Sequence, residues 1–242
     1  MPMSQKQTPP MNPRDKTYSS SIEEATNYME WLADMARPHL GERVLEVGFG
    51  HGALNRKLGP FKEYLGVDLD DDAVEQARQT HPGEEYLAAD IAGQRFTEAL
   101  GERRFDTILC YNVLEHVPDD AAALGNMMRA LRPQGRLVLF VPAMPTLYGD
   151  LDRLAGHHRR YTLSVLATLL SDLGSVVRLE YVNPLGGIGW WANSFRKHRS
   201  LDSASVNWQI CVFDKYGVPL SRALTPLFAK FFGQSILCVV KK

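Results

Sequence analysis

The sequence predicts an α/β protein: a seven-stranded, mostly parallel sheet with helices on both faces and a lid segment inserted before the last strand. Three observations carry this. Short β-branched runs alternate with helical repeats through the first half of the chain. The first run ends in a glycine-rich turn, and the second and third runs each end in an aspartate. The chain has 242 residues, 45% of them apolar, which suits one large domain with a sizeable core.

Residues 1–21, rich in Pro, Gln and Ser and without an apolar core, read as a flexible arm rather than a signal segment. Residues 22–242 read as a single domain. Ile22, Ala25, Tyr28, Met29, Leu32 and Met35 recur at helical spacing and predict a leading helix over residues 22–40. Residues 43–48 form the first strand and run into glycines, as a buried parallel strand meets its turn, and a helix follows over residues 53–58. Strands are expected at 63–68 and 85–90, with a helix capped by Asp72 between them. A fourth strand is expected at 105–110, then a helix capped by Asp119 or Asp120 and running through Leu131, then a fifth strand at 136–141. Right-handed crossovers join such units into a doubly wound sheet. Residues 143–161 lose the period and form a long loop beside the strand ends, before a helix at 162–173. The last strands are expected at 176–181 and 235–240. Between them, residues 183–233 form a helical or irregular lid, in which Trp190, Trp191 and the aromatics from Phe213 to Phe232 fill the lid core or line an apolar acceptor pocket, core packing being preferred.

Charge and cysteine content exclude some classes. Lys and Arg number 27 against 28 Asp and Glu, so no global field favours nucleic acid or an anionic membrane. No apolar stretch approaches the ~20 residues of a spanning helix. Three dispersed cysteines suit a reducing, cytoplasmic setting. Oligomeric state is left open by the sequence.

The turn Glu46-Val47-Gly48-Phe49-Gly50-His51-Gly52 lets the backbone pass close to a ligand and aims it at a helix amino terminus. Asp68 closes the second strand about twenty residues after Gly48, where a carboxylate can accept from both hydroxyls of a ribose, and Asp90 closes the third, where it can meet an adenine. A nicotinamide-dependent oxidoreductase shares this layout, but its glycines follow GxGxxG, whereas Gly48, Gly50 and Gly52 alternate here.

Glu46-x-Gly48-x-Gly50-x-Gly52, Asp68, Asp90, Asn112-Val113-Leu114-Glu115-His116-Val117 and Leu131-Arg132-Pro133-Gln134-Gly135 together resemble class I S-adenosyl-L-methionine-dependent methyltransferases, on a Rossmann-like fold. The resemblance runs in order from Val44 to Val141. It implies that Glu46, Gly48, Gly50, Gly52 and Asn112 bind the methionine end of the cofactor, Asp68 the ribose and Asp90 the adenine. Gly156-His157-His158-Arg159-Arg160-Tyr161-Thr162 and Phe232-Gly233-Gln234-Ser235 resemble a small-molecule branch of that family, in which Tyr more usually stands at the position of His158.

A sulfonium methyl is already activated, so the protein has to align the acceptor and take up its proton where it has one. The candidate bases are His116, His157 and His158, with Tyr148, Asp150 and Asp152 nearby, and His157 is preferred; Tyr161 joins the catalytic candidates. Tyr148, Arg159, Arg160 and Trp191 are candidate contacts for a small-molecule acceptor, the arginines suiting an acidic one. No metal is expected, because His116, His157 and His158 match no known ligand spacing. Arg196-Lys197-His198-Arg199 suggests a solvated helix end or a contact to a lipid phosphate. A non-catalytic scaffold on the same fold is the alternative from another class.

Overall fold

A computed structural model describes residues 21–50, 52–194 and 204–242. Residues 1–20 of the expected arm and the basic run 196–199 lie outside the described residues, while Ser21, taken as the end of the arm, opens a helix. The chain opens with α1 (Ser21–Glu24) and α2 (Thr26–Ala36), so the leading helix is broken at Ala25. Then follow β1 (Arg43–Val47), α3 (Ala53–Leu58), β2 (Glu63–Asp68), α4 (Asp71–Thr80), β3 (Glu85–Ala88), α5 (Gln94–Leu100), β4 (Phe105–Tyr111) and α6 (Asp120–Ala130). The second half holds β5 (Leu131–Pro142), α7 (Asp150–Ala155), α8 (Leu163–Leu170), β6 (Ser175–Val182), α9 (Pro184–Ser194), α10 (Ala204–Val212), α11 (Val218–Phe228) and β7 (Ser235–Lys241).

The seven strands form one sheet in the order β3-β2-β1-β4-β5-β7-β6. Strands β1 to β5 are parallel, and β7 runs antiparallel to both β5 and β6. The expected seven-stranded, mostly parallel sheet is therefore present. Alternate residues of each central strand enter opposite layers of the core. Leu137 and Leu139 face one with Leu45, Val67 and Ile108, while Val138 and Phe140 face the other with Leu109, Leu237 and Val239. Burial on both faces explains why these strands read as continuous apolar runs.

Local chemistry corrects several boundaries. The cap of α4 is Asp70, whose carboxylate accepts from the backbone of Asp72 at 2.9 Å and Ala73 at 3.4 Å, and Asp72 lies in the first turn. Asp119 caps α6 through Ala122 N at 2.9 Å. Leu131 belongs to β5, paired with Phe105 ahead of a register shift. The expectation placed no helix over Gln94–Leu100, because of its apolar residues only Phe96 and Leu100 are buried. Within residues 143–161 the chain makes α7, so that segment is not wholly loop. The lid is helical in its described part, but its aromatics do not all pack inward: Trp191, Trp208 and Phe231 are 53%, 67% and 74% exposed. Among the described residues, no helix is long and apolar enough to cross a membrane.

Candidate active site

The order of the sheet reverses between β1 and β4, since the crossovers lead outward in opposite directions from there. Ligands of open α/β sheets bind at the carboxyl ends of strands at such a point. The glycine turn leaves β1 there with Gly48, Gly50 and Gly52 at φ of 70°, 54° and 68°, a region costly for other residues. A side chain on Gly48 would collide with Val113, which follows β4. A Cβ on Gly50 would meet nothing within 4 Å, so this part of the turn borders open space.

Asp68, at the end of β2, binds the turn directly: its Oδ2 accepts from Gly50 N at 3.3 Å, and its Oδ1 accepts from Asp70 N at 3.1 Å. The glycine turn and the carboxylate are thus one unit. Asp90 is exposed just past β3, and its Oδ1 accepts from Ala92 N at 2.9 Å, a turn-forming bond. Asn112 is exposed beyond β4 at φ 53°, held there by its N–H donating to Phe140 O at 2.7 Å. These groups, brought from four strand ends to one edge, fit a cofactor with a polar amino-acid end, a ribose and an adenine.

Glu46 lies inside, 5% exposed, and accepts from Tyr64 Oη at 2.7 Å. Burial pushes its carboxyl up to about 7 from 4.5, against the pull of the Tyr64 hydroxyl. A raised carboxyl pKa means that the folded chain holds a proton which the unfolded chain has released. The associated stability is fully present below about pH 4.5 and is lost as pH rises through about 7. Urea unfolding at pH 5 and pH 8 is expected to show the parent losing up to about 3 kcal/mol relative to Glu46→Gln across that window. A pH dependence identical in the two proteins would contradict this placement of Glu46.

The acceptor-side candidates sit on a segment tied down at both ends. Tyr161 N donates to Pro142 O at 2.9 Å, and Met144 N to Tyr161 O at 3.0 Å. Asp152, fully buried, organises the segment. Its Oδ1 accepts from His157 Nδ1 at 2.9 Å and Arg160 Nε at 2.7 Å, and its Oδ2 accepts from Gly149 N at 2.9 Å and Trp190 Nε1 at 3.2 Å. Burial alone would raise the Asp152 carboxyl; His157, Arg160 and the Gly149 amide more than offset it, and the pKa lies below its ordinary value. Asp152 is therefore a clamp rather than a base.

Arg160 is buried and also donates to Ala143 O at 2.9 Å, with its guanidinium 4.8 Å from the Trp190 ring. These bonds point it into the protein, not toward an acceptor. Arg159 is half-buried and paired with Asp120 at 2.8 Å. Tyr161 is 1% exposed, and its hydroxyl lies 3.0 Å from Asp120 Oδ2 and 3.2 Å from Leu114 O. Burial raises its pKa strongly, so its place is structural. His158 is exposed, and Tyr148 donates to the His157 carbonyl at 2.7 Å. Trp190, the neighbour of the residue singled out by sequence, is the tryptophan turned toward this cluster.

With Nδ1 held by Asp152, His157 presents Nε2 toward Glu115, 3.8 Å from its Oε1. Glu115 is fully buried, and neither of its oxygens has a hydrogen-bond partner among the described residues. Burial pushes its carboxyl up to about 8. The His116 ring stands edge-on to that of His157, centroids 4.8 Å apart, and burial lowers its pKa to about 4. Sequence spacing did not join Glu115 to this histidine pair; the fold does, through His158 N donating to Glu115 O at 2.8 Å.

Residues 45–137 match the family model described as a methyltransferase domain. A ubiquinone biosynthesis O-methyltransferase of Xylella fastidiosa (strain 9a5c) is 37% identical over 103 residues, covering 41% of this chain and 42% of that enzyme. The chain spans about half the length of the curated relatives it matches. Among solved structures, a SAM-dependent methyltransferase from Archaeoglobus fulgidus superposes with a TM-score of 0.56 at 18% identity, covering 91% of this chain and 98% of that one. The N-methyltransferase NodS of Bradyrhizobium japonicum WM9, solved with S-adenosyl-L-homocysteine, gives a TM-score of 0.55 at 18% identity, covering 93% of this chain and 88% of that one. Residues 45–137 thus resemble a methyltransferase domain, and the chain has the fold of solved S-adenosyl-L-methionine-dependent methyltransferases, as its motifs implied.

Proposed function

We propose that this chain transfers a methyl group from S-adenosyl-L-methionine to a small-molecule acceptor. The observation that supports this best is the single unit made by the glycine turn and Asp68 at the β1/β4 switch point, beside the buried His157 cluster. When bound, the cofactor supplies a sulfonium methyl that needs only an aligned nucleophile. Gly48, Gly50 and Gly52 cradle its methionine end with Asn112, Asp68 accepts from the ribose hydroxyls, and Asp90 reads the adenine. Glu46, buried and bonded to Tyr64, ties β1 to β2 just before the turn. His157, oriented by Asp152, draws the acceptor's proton directly or through a ligand it holds, and Tyr148 and Arg159 border the acceptor. The O-methyltransferase relative favours oxygen as the acceptor atom.

Calorimetry is expected to show S-adenosyl-L-methionine and S-adenosyl-L-homocysteine binding in the micromolar range, with NADH silent. Asp68→Ala leaves two ribose hydroxyls unpaired, at about 1.5–3 kcal/mol, and is expected to weaken either ligand roughly tenfold to a hundredfold. A folded Asp68→Ala protein with parental affinity would place the cofactor elsewhere. Binding without transfer to any hydroxyl or amine acceptor in a labelled-methyl screen would favour a scaffold.

A further inference from the structure

We propose that Glu115, His116 and His157 form a binding site for one divalent transition-metal cation, such as zinc, manganese or iron(II), on the acceptor side of the cofactor crevice. The proposal rests on the reading above for what the cation does, but not for whether it binds.

One donor atom from each of the three residues can be chosen so that all lie within 4.8 Å of one another. A cation with bonds of about 2.0–2.2 Å spaces neighbouring donors by roughly 3–3.6 Å, so a modest side-chain rotation closes the set. The pair His157 Nε2 and Glu115 Oε1 stands at 3.8 Å, too long for a hydrogen bond and near the separation of two ligands of one ion. With Nδ1 bonded to Asp152, a neutral His157 carries its lone pair on Nε2, facing an oxygen of Glu115 that is an acceptor too once that carboxyl is ionised. An ionised Glu115, fully buried and without a hydrogen-bond partner among the described residues, then leaves a place for a cation between the two acceptors, which a proton on Glu115 fills when the site is empty.

The surroundings fit the same reading. A carboxylate bound to the far nitrogen of a ligand histidine fixes its tautomer and strengthens it as a donor; Asp152 does this for His157, and Arg160, Gly149 and Trp190 hold Asp152 in turn. Two imidazoles and one carboxylate suit borderline cations better than magnesium or calcium, which prefer all-oxygen sites. Three protein ligands leave positions open for other donors, the pattern of catalytic rather than structural sites. The acceptor class that follows is an oxygen nucleophile, a hydroxyl or pair of adjacent hydroxyls, which the cation binds and makes easier to deprotonate.

The test is a titration of untagged, chelator-treated full chain with Co²⁺, followed by visible absorption and by metal analysis after desalting, with S-adenosyl-L-homocysteine binding measured in parallel. One equivalent of Co²⁺ with ligand-field bands is expected. Glu115→Gln and His157→Ala are expected to weaken it at least about 100-fold, since the first removes the anionic charge of a ligand and the second a ligand outright, and Asp152→Asn roughly tenfold to a hundredfold. His158→Ala, altering the exposed neighbour, is expected to keep parental affinity. Thermal unfolding of each variant checks that it is folded. No Co²⁺ bound by the parent, or uptake unchanged in Glu115→Gln and His157→Ala, overturns the site. If S-adenosyl-L-homocysteine still binds in that case, the methyltransferase reading stands and Glu115 is simply a protonated buried acid. If the cation binds and the cofactor product does not, the functional reading fails while the site survives.

Discussion

Replacing His157 by alanine is expected to lower turnover by about 100-fold to 10,000-fold, the usual worth of a positioned proton acceptor, with cofactor affinity changed by less than about twofold. The expectation rests on orientation. Asp152 Oδ1, 2.9 Å from Nδ1, fixes which nitrogen of His157 faces the site, and Glu115 and His116 crowd the other one. The proposed cofactor groups come from the ends of β1 to β4, and the His157 ring is held by Asp152 rather than by any of them, so removing this imidazole leaves that unit intact. Labelled-methyl transfer to an acceptor found by screening is the measurement. A variant that keeps turnover within about threefold of the parent would reduce His157 to a packing residue.

Asp152→Ala is expected to cost stability instead, by about 3–5 kcal/mol, because it removes one partner of a buried ion pair and leaves the other charged and unpaired. Arg160 loses its carboxylate, and the Gly149 amide and the Trp190 indole lose their acceptor. For a chain of this size such a loss lowers the melting temperature by roughly 6–20 °C. Removing both charges in Asp152→Ala/Arg160→Met is expected to cost less than the sum of the single variants, because the second change relieves the first. Thermal and urea unfolding of the three proteins measure this. A single-variant loss under about 1 kcal/mol would mean that solvent reaches Arg160 and that the clamp is not closed.

What the sequence made legible is what is local along it. Alternating glycines after an apolar run, and an aspartate at the end of the next one, are short-range patterns, and the structure builds them as one hydrogen-bonded unit through Gly50 and Asp68. The central strands were legible for a similar reason, since burial on both faces leaves them mostly apolar, with Glu46 and Thr107 as buried exceptions. Other features depend on contacts that no window contains. Glu115 meets His157 only because residues 143–161 fold back across the end of β4. Trp190 rather than Trp191 turns inward on α9, a glycine-rich helix with no clear apolar face in its sequence to set the phase. Arg160 reads as an exposed anchor within a run of charge until Asp152, eight positions away, is seen to bury it.

The antiparallel strand next to the β6 edge of the sheet bears on how the chain is assembled during synthesis. The strands that carry the cofactor unit, β1 to β4, together with β5, are complete once residue 142 has been made, and each has its parallel neighbour by then. Strand β6 has no such neighbour, because β7 stands between it and β5, pairing Val138 with Val239 on one side and Leu179 with Cys238 on the other. Ribosomes add about 5–20 residues per second, so for several seconds the growing chain exposes the open edge of β5 and the apolar residues of β6. The half that carries the glycine turn and Asp68 can fold early. The half that carries the lid must wait for the seventh strand to slide in as a wedge, which makes the β5 edge the place where an interrupted chain would aggregate.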